Sequence, residues 1–135
     1  MTLKHSYQRI AHRSLTASDS LLQDHIQEHA AFMTYHAFES TGCALCDSLN
    51  LPVGKLVHHS TKIKLFNEAA RRVGKNYSVA LLTVEIKNLR NEVLYPLVNN
   101  QNQPIRTPEQ AITLIQARKL KGRVQGIVNW VNQKI

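Results

Sequence analysis

The stretch Tyr77 Ser78 Val79 Ala80 Leu81 Leu82 Thr83 Val84 Glu85 Ile86 Lys87 Asn88 Leu89 Arg90 Asn91 Glu92 Val93 Leu94 Tyr95 Pro96 decides the fold class. Val79, Leu82, Ile86, Leu89 and Val93 follow one another at steps of three and four, the spacing that lines one side of an α-helix. Asn76 stands where a cap is expected, and Pro96 stops the helix because proline cannot continue the backbone ladder. A second stripe, Tyr77, Leu81 and Val84, runs along the far side and continues as Asn88, Asn91 and Tyr95. The pattern predicts a central helix over 77–95, apolar on two sides early and polar on one side late, whose last turns open onto a site or a partner.

Working outward, the other segments keep the helical period. Ser60 to Val73 places Ile63, Phe66, Ala70 and Val73 on one face, with Gly74 as its stop. Ser20 to about Leu49 predicts one long helix with Leu22, Ile26, Ala30, Met33, Ala37 and Ala44 on its inner side, preceded by a shorter helix near Leu3 to Leu15. Thr107 Pro108 Glu109 Gln110 is a reciprocal capping pattern, and a long helix to about Gln133 should follow, carrying Ile112, Ile115, Leu120, Val124, Ile127 and Val131. In it Gly122 and Gly126 share a face, each costing about 1 kcal/mol against Ala, a loss that close helix approach would offset. Turn signals fall only at 16–20, 50–54, 74–76 and 96–108, and nothing alternates with period two. The expectation is an all-α antiparallel bundle of four to five helices, a single helical domain over 1–135.

Length and composition agree with that. A chain of 135 residues with 43% apolar content can bury one core. Five Gly, four Pro and no apolar run near the ~18 residues of a membrane span exclude collagenous, low-complexity and membrane-spanning classes. Met1 to Arg9 lacks the apolar stretch of a secretory leader, so a cytoplasmic protein without membrane attachment is expected. Cys43 and Cys46 have no second pair, which leaves neither a disulfide framework nor a four-thiolate zinc site within one chain. Charge is segregated: residues 1–17 carry +3, residues 18–54 carry five acids and no Lys or Arg, and residues 55–135 carry 14 bases against four acids. The basic half would attract a polyanion.

The end of the central helix concentrates chemistry. Asn91 and Tyr95 lie about 40° apart on the side away from Leu89 and Val93, and Arg90 flanks the core. Arg offers a planar, permanently charged fork for phosphate, while an amide and a phenol add neutral donors and acceptors, a set suited to a phosphodiester rather than a metal. The competing reading pairs Arg90 with Glu85, Glu92 or a carboxylate of the acidic helix.

Leu89 Arg90 Asn91 with Tyr95 Pro96, Ala31 Phe32 through His36 Ala37 Phe38 Glu39, and His58 His59 Ser60 leading into Phe66 together resemble the HEPN domains, over roughly residues 30–96. The resemblance implies a small helical bundle, usually homodimeric, whose active members are metal-independent ribonucleases of toxin or defence systems, often encoded with a nucleotidyltransferase antitoxin. Arg90 matches the motif Arg and Asn91 its polar neighbour, which makes Arg90, Asn91 and Tyr95 the implied catalytic set. Tyr95 stands where the shortest motif places His, and no His follows His59. A phenol with a pKa near 10 is a poor base beside an imidazole, so binding follows from the match more directly than cleavage does. The implied function is an RNA- or nucleotide-binding, ribonuclease-like domain without cofactors. The alternative is a non-enzymatic module whose Asn88, Asn91 and Tyr95 face meets a second subunit or a nucleotidyltransferase.

Other residues have weaker readings. Lys62, Lys64, Arg71, Arg72 and Lys75, with Arg118, Lys119, Lys121 and Arg123, would form a backbone-tracking groove if the two clusters adjoin Arg90, and would otherwise be solvated faces. Tyr35, Tyr77 and Trp130 are the few aromatics available for base stacking. His25, His29, His36 and Cys43 project along one edge of the predicted long helix, and His25 with His29 has an i, i+4 zinc-binding spacing, but no second set of ligands accompanies it, so no metal is assigned. His58 and His59 read as turn or cap residues, or as a proton carrier folded near Arg90. A DNA-binding reading lacks a helix-turn-helix, because the helix after Gly74 is too apolar to lie in a groove.

Overall fold

The computed structural model describes residues 1–54, 57–74 and 77–135. Thr2 opens α1, Leu3–Gln23, by accepting from the His5 N–H at 3.2 Å. The long helix expected from Ser20 is in fact the end of α1 and a second helix, α2, Gln27–Ser48. Between them Ile26 N–H bonds to Leu21 O at 2.9 Å and His25 N–H to Leu22 O at 3.1 Å, with His25 at φ 60. That is the paired closure of a helix end around a left-handed residue, and it reverses the chain. Helical periodicity runs straight through such a turn, because α1 and α2 both present Leu, Ile and Ala at compatible spacing. The hairpin is antiparallel: Ser18 OH sits 2.8 Å from Thr34 Oγ1 and donates to Ala30 O at 3.0 Å, far down α1, while Tyr7 near its start lies against Cys43.

α3 spans His59–Val73 and ends at Gly74, as expected. The helix expected over 77–95 is broken into α4, Tyr77–Ile86, and α5, Leu89–Leu94. Packing explains the break. Val79, Leu82 and Ile86 belong to one apolar cluster with Phe38, Leu45, Phe66, Val124 and Val131, whereas Val93 joins another with Leu22, Ala30, Ala31, Ile112 and Ala117; Leu89 and Phe32 touch both. A straight helix could not reach the two. The expected cap Asn76 lies outside the described residues.

A two-stranded antiparallel hairpin, β1 Leu97–Val98 and β2 Pro104–Arg106, fills the Pro96 to Pro108 turn region that carried no strand signal. The last expected helix is also two: α6, Pro108–Ala111, and α7, Leu114–Lys134. The cause is a second capping box six residues on, in which Thr113 Oγ1 accepts from Gln116 N–H at 3.1 Å and Gln116 Oε1 from Thr113 N–H at 2.9 Å. Ile115 is consequently 64% exposed instead of lining the core.

The all-α bundle expected from the periodicity is the fold found, but its centre is α2 and not the 77–95 segment. α2 packs against α1, α3, α5, α6 and α7. Every residue from Ala37 to Cys46 is buried, which is possible because most of them are Ala, Ser, Thr, Gly or Cys and let neighbours approach. The close approach is at Gly42, where an added Cβ would come within 2.9 Å of Phe66 Cβ and closer still to its ring. Gly122 and Gly126 have nothing within 4 Å of an added Cβ among the described residues, so the helix contact expected there is not made by them. Among the described residues no helix is long and apolar enough to cross a membrane.

Candidate functional site

A carboxylate in the middle of α2 organises the polar centre of the molecule. Glu39 is only 5% exposed. Its Oε2 accepts from Tyr35 OH at 2.6 Å and lies 2.8 Å from His59 Nδ1, at the first turn of α3, while Lys62 Nζ stands 3.7 Å from Oε1. Tyr35 reaches Glu39 because i and i+4 share a helix face, and His59 and Lys62 share one at i, i+3. A buried carboxylate needs a counter-charge and satisfied lone pairs, and this set supplies both.

The hydrogen bond fixes the imidazole. With Nδ1–H directed at the carboxylate, neutral His59 keeps its lone pair on Nε2, and the side chain is 45% exposed. His58 does different work: its Nδ1 accepts from the Ser60 N–H at 3.3 Å and lies 2.9 Å from Ser60 Oγ, capping α3. His36 is stacked on Phe32, with ring centroids 6.4 Å apart, and burial lowers its proton affinity.

Arg90 lies in the first turn of α5, which packs against α2. Burial, followed by the bond to Glu39, drives the Tyr35 phenol pKa strongly upward, and the positive charge of Arg90 opposes that rise. Arg90 is half-buried and makes no hydrogen bond or ion pair among the described residues. None of Glu85, Glu92 or the α2 acids clamps it: Glu85 pairs with Arg123, and Glu39 with His59 and Lys62. Asn91 and Tyr95 are exposed on the outer side of α5, Tyr95 at 58%, so the predicted trio divides into an inward Arg and two outward groups.

No family model matches the chain, and no curated protein does either. The geometry therefore has to carry the functional reading.

The basic residues do not form one tract. Lys62 is a core counter-charge, with its side chain 11% exposed. Arg71 and Arg72 both pair with Glu68. On α7, Lys121 meets Asp19 of α1 at 3.0 Å and Arg123 meets Glu85 of α4, so the two point to opposite sides. Lys64, Arg118 and Lys119 are exposed and without an ion pair among the described residues, and Lys75 lies outside them. Arg118, Lys121, Gly122, Asp19, Leu22 and Gln23 line a shallow groove of about 360 Å³ between α1 and α7. The His25, His29, His36 and Cys43 edge, to which no metal was assigned, is not a continuous one: His25 sits in the α1–α2 turn, His29 is exposed and Cys43 is buried. No cluster of three His, Cys, Asp or Glu able to hold a metal ion occurs among the described residues.

Sequence reasoning missed Glu39 and Tyr35 as a unit. The signal was present: residues 18–54 carry five acids and no Lys or Arg, so an acid within the apolar run at 37–46 had to take its cation from elsewhere in the chain.

Proposed function

We propose that this chain is a HEPN-type RNA- or nucleotide-binding domain of ribonuclease-like character, acting as a homodimer in a toxin or defence system. The observation that supports the reading is the half-buried Arg90 guanidinium, without an acid partner among the described residues, on a helix that packs against α2, which carries Tyr35 and Glu39. An Arg without an ion pair can take an anion, and a phosphodiester suits its planar fork. Asn91 and Tyr95 are exposed on the same chain segment as neutral hydrogen-bonding groups. The test is filter binding of labelled single-stranded RNA. Arg90→Ala should weaken binding by about tenfold or more, as expected for a charge-assisted bidentate contact. Equal affinity of both proteins removes the reading.

A second reading, a protein-interaction module, is favoured by a specific feature. Tyr77, Leu81 and Val84 of α4 are 79%, 60% and 76% exposed, and Tyr95, Leu97, Val98 and Ile105 are also exposed. Apolar surface of this kind marks an interface. A second copy or a nucleotidyltransferase would seat there, and under this reading Tyr95→Ala lowers the mass in solution without changing RNA affinity.

A further inference from the structure

We infer that His59, and not Tyr95, is the proton carrier of this site, with Glu39 as its positioning residue; the inference rests on the ribonuclease reading above. Cleavage of RNA without a metal requires a base that can take the proton of a ribose 2′-hydroxyl. The chain has seven His, and the structure separates them by role. His5, His12, His25 and His29 are exposed on α1, its turn or the start of α2, with no carboxylate hydrogen bond. His36 is half-buried against Phe32, and His58 is spent on the α3 cap. His59 alone among the described His couples a buried carboxylate on Nδ1 to a half-exposed ring.

That arrangement is the one that makes an imidazole a directed base. Glu39 holds the tautomer and the ring plane, and it stabilises the imidazolium that forms when Nε2 takes a proton. Tyr35 and Lys62 hold Glu39 in turn, from the α2 and α3 sides. Tyr35 cannot be the base itself, because it is 5% exposed and its phenol is pushed far toward the protonated form by burial. Its hydroxyl is spent instead on holding Glu39.

The step balances without a co-reactant other than water. The 2′-hydroxyl proton passes to His59 Nε2, the 2′-oxygen forms a bond to phosphorus, and the P–O5′ bond breaks. The 5′-oxygen takes a proton from water, and His59 later returns its own to solvent. In the ribonuclease reading, Arg90 is the group assigned to stabilise the charge gathering on the non-bridging oxygens. The products are a 2′,3′-cyclic phosphate and a 5′-hydroxyl.

The experiment uses the full chain, a mixed-sequence single-stranded RNA oligonucleotide and EDTA, with single-turnover rates read across pH and product ends read by mass spectrometry. His59→Ala should lose about 100-fold or more in rate, keep RNA affinity within about threefold, retain the wild-type circular dichroism, and recover activity when imidazole is added. Glu39→Gln should lose less and flatten the rise of rate with pH that a base imposes. His58→Gln should cleave as the wild type does. A His59→Ala protein that cleaves at the wild-type rate overturns the inference and leaves the ribonuclease reading standing. So does a folded His59→Ala protein that imidazole does not rescue. A wild-type protein that yields no cyclic-phosphate ends at any pH overturns both.

Discussion

Gly42 is the position where one methyl group should do most damage. Gly to Ala inside a helix is ordinarily favourable by about 1 kcal/mol, but at Gly42 the new Cβ runs into the Phe66 side chain, itself fully buried against Phe38 with ring centroids 5.0 Å apart. Gly42→Ala should therefore cost about 1 to 3 kcal/mol, as overpacking does. Gly122→Ala, with nothing within 4 Å, should gain up to about 1 kcal/mol. Urea midpoints of the two variants would move in opposite directions. The thiols make a pH prediction. Burial pushes Cys43 up to about 11 and Cys46 to about 12 from the ordinary 9.0. The unfolded chain loses those protons first, so stability is fully present below pH 9.0 and falls as pH rises toward about 11 and 12. Equilibrium unfolding across that window should show the decline, reduced in Cys46→Ala. At this scale the sequence was half legible: Arg90 could be singled out from its place at a helix end, but Glu39 could not, because its partners His59 and Lys62 are 20 and more residues away.

Several element ends were legible from local chemistry, although the Thr113 to Gln116 capping box was passed over. Gly74 and the Thr107 to Gln110 signature mark real boundaries. Breaks decided by tertiary demand were not visible, as at Lys87 and Asn88, where one apolar stripe serves two clusters. The α1–α2 turn falls between these cases, since His25 accepts a left-handed φ of 60 that suits Gly far better. His25→Gly should raise stability by about 1 kcal/mol, the cost of holding a side chain in that region. A thermal melt checks it, and a lower Tm would show that His25 contributes contacts of its own. The Ser18 and Thr34 pair offers a second test of the hairpin. Ser18→Ala alone leaves a buried Thr34 hydroxyl without its partner and should cost about 1 to 3 kcal/mol, while adding Thr34→Val should recover much of that.

Across the whole molecule, charge and apolar surface are partitioned. The net charge of +8 is real, yet Lys62, Arg71, Arg72, Lys121 and Arg123 are each tied to an acid. If the chain binds RNA as proposed, its affinity should fall only gently with salt, at about −0.7 in log K per log salt for each phosphate neutralised, and the measured slope would count few contacts. If the face of Tyr77, Leu81 and Val84 joins two copies, Leu81→Glu should halve the mass seen by sedimentation equilibrium while the helical spectrum stays intact. An unchanged mass would remove that face as the dimer contact. The position of Glu39 within the chain has a consequence for synthesis. Tyr35 is already made when Glu39 leaves the ribosome, but His59 and Lys62 come later, so the acid waits about one to five seconds at ordinary translation rates before its cation exists. The α1–α2 hairpin cannot close dry during that interval. Water must stay on the nascent pair until the third helix arrives to displace it.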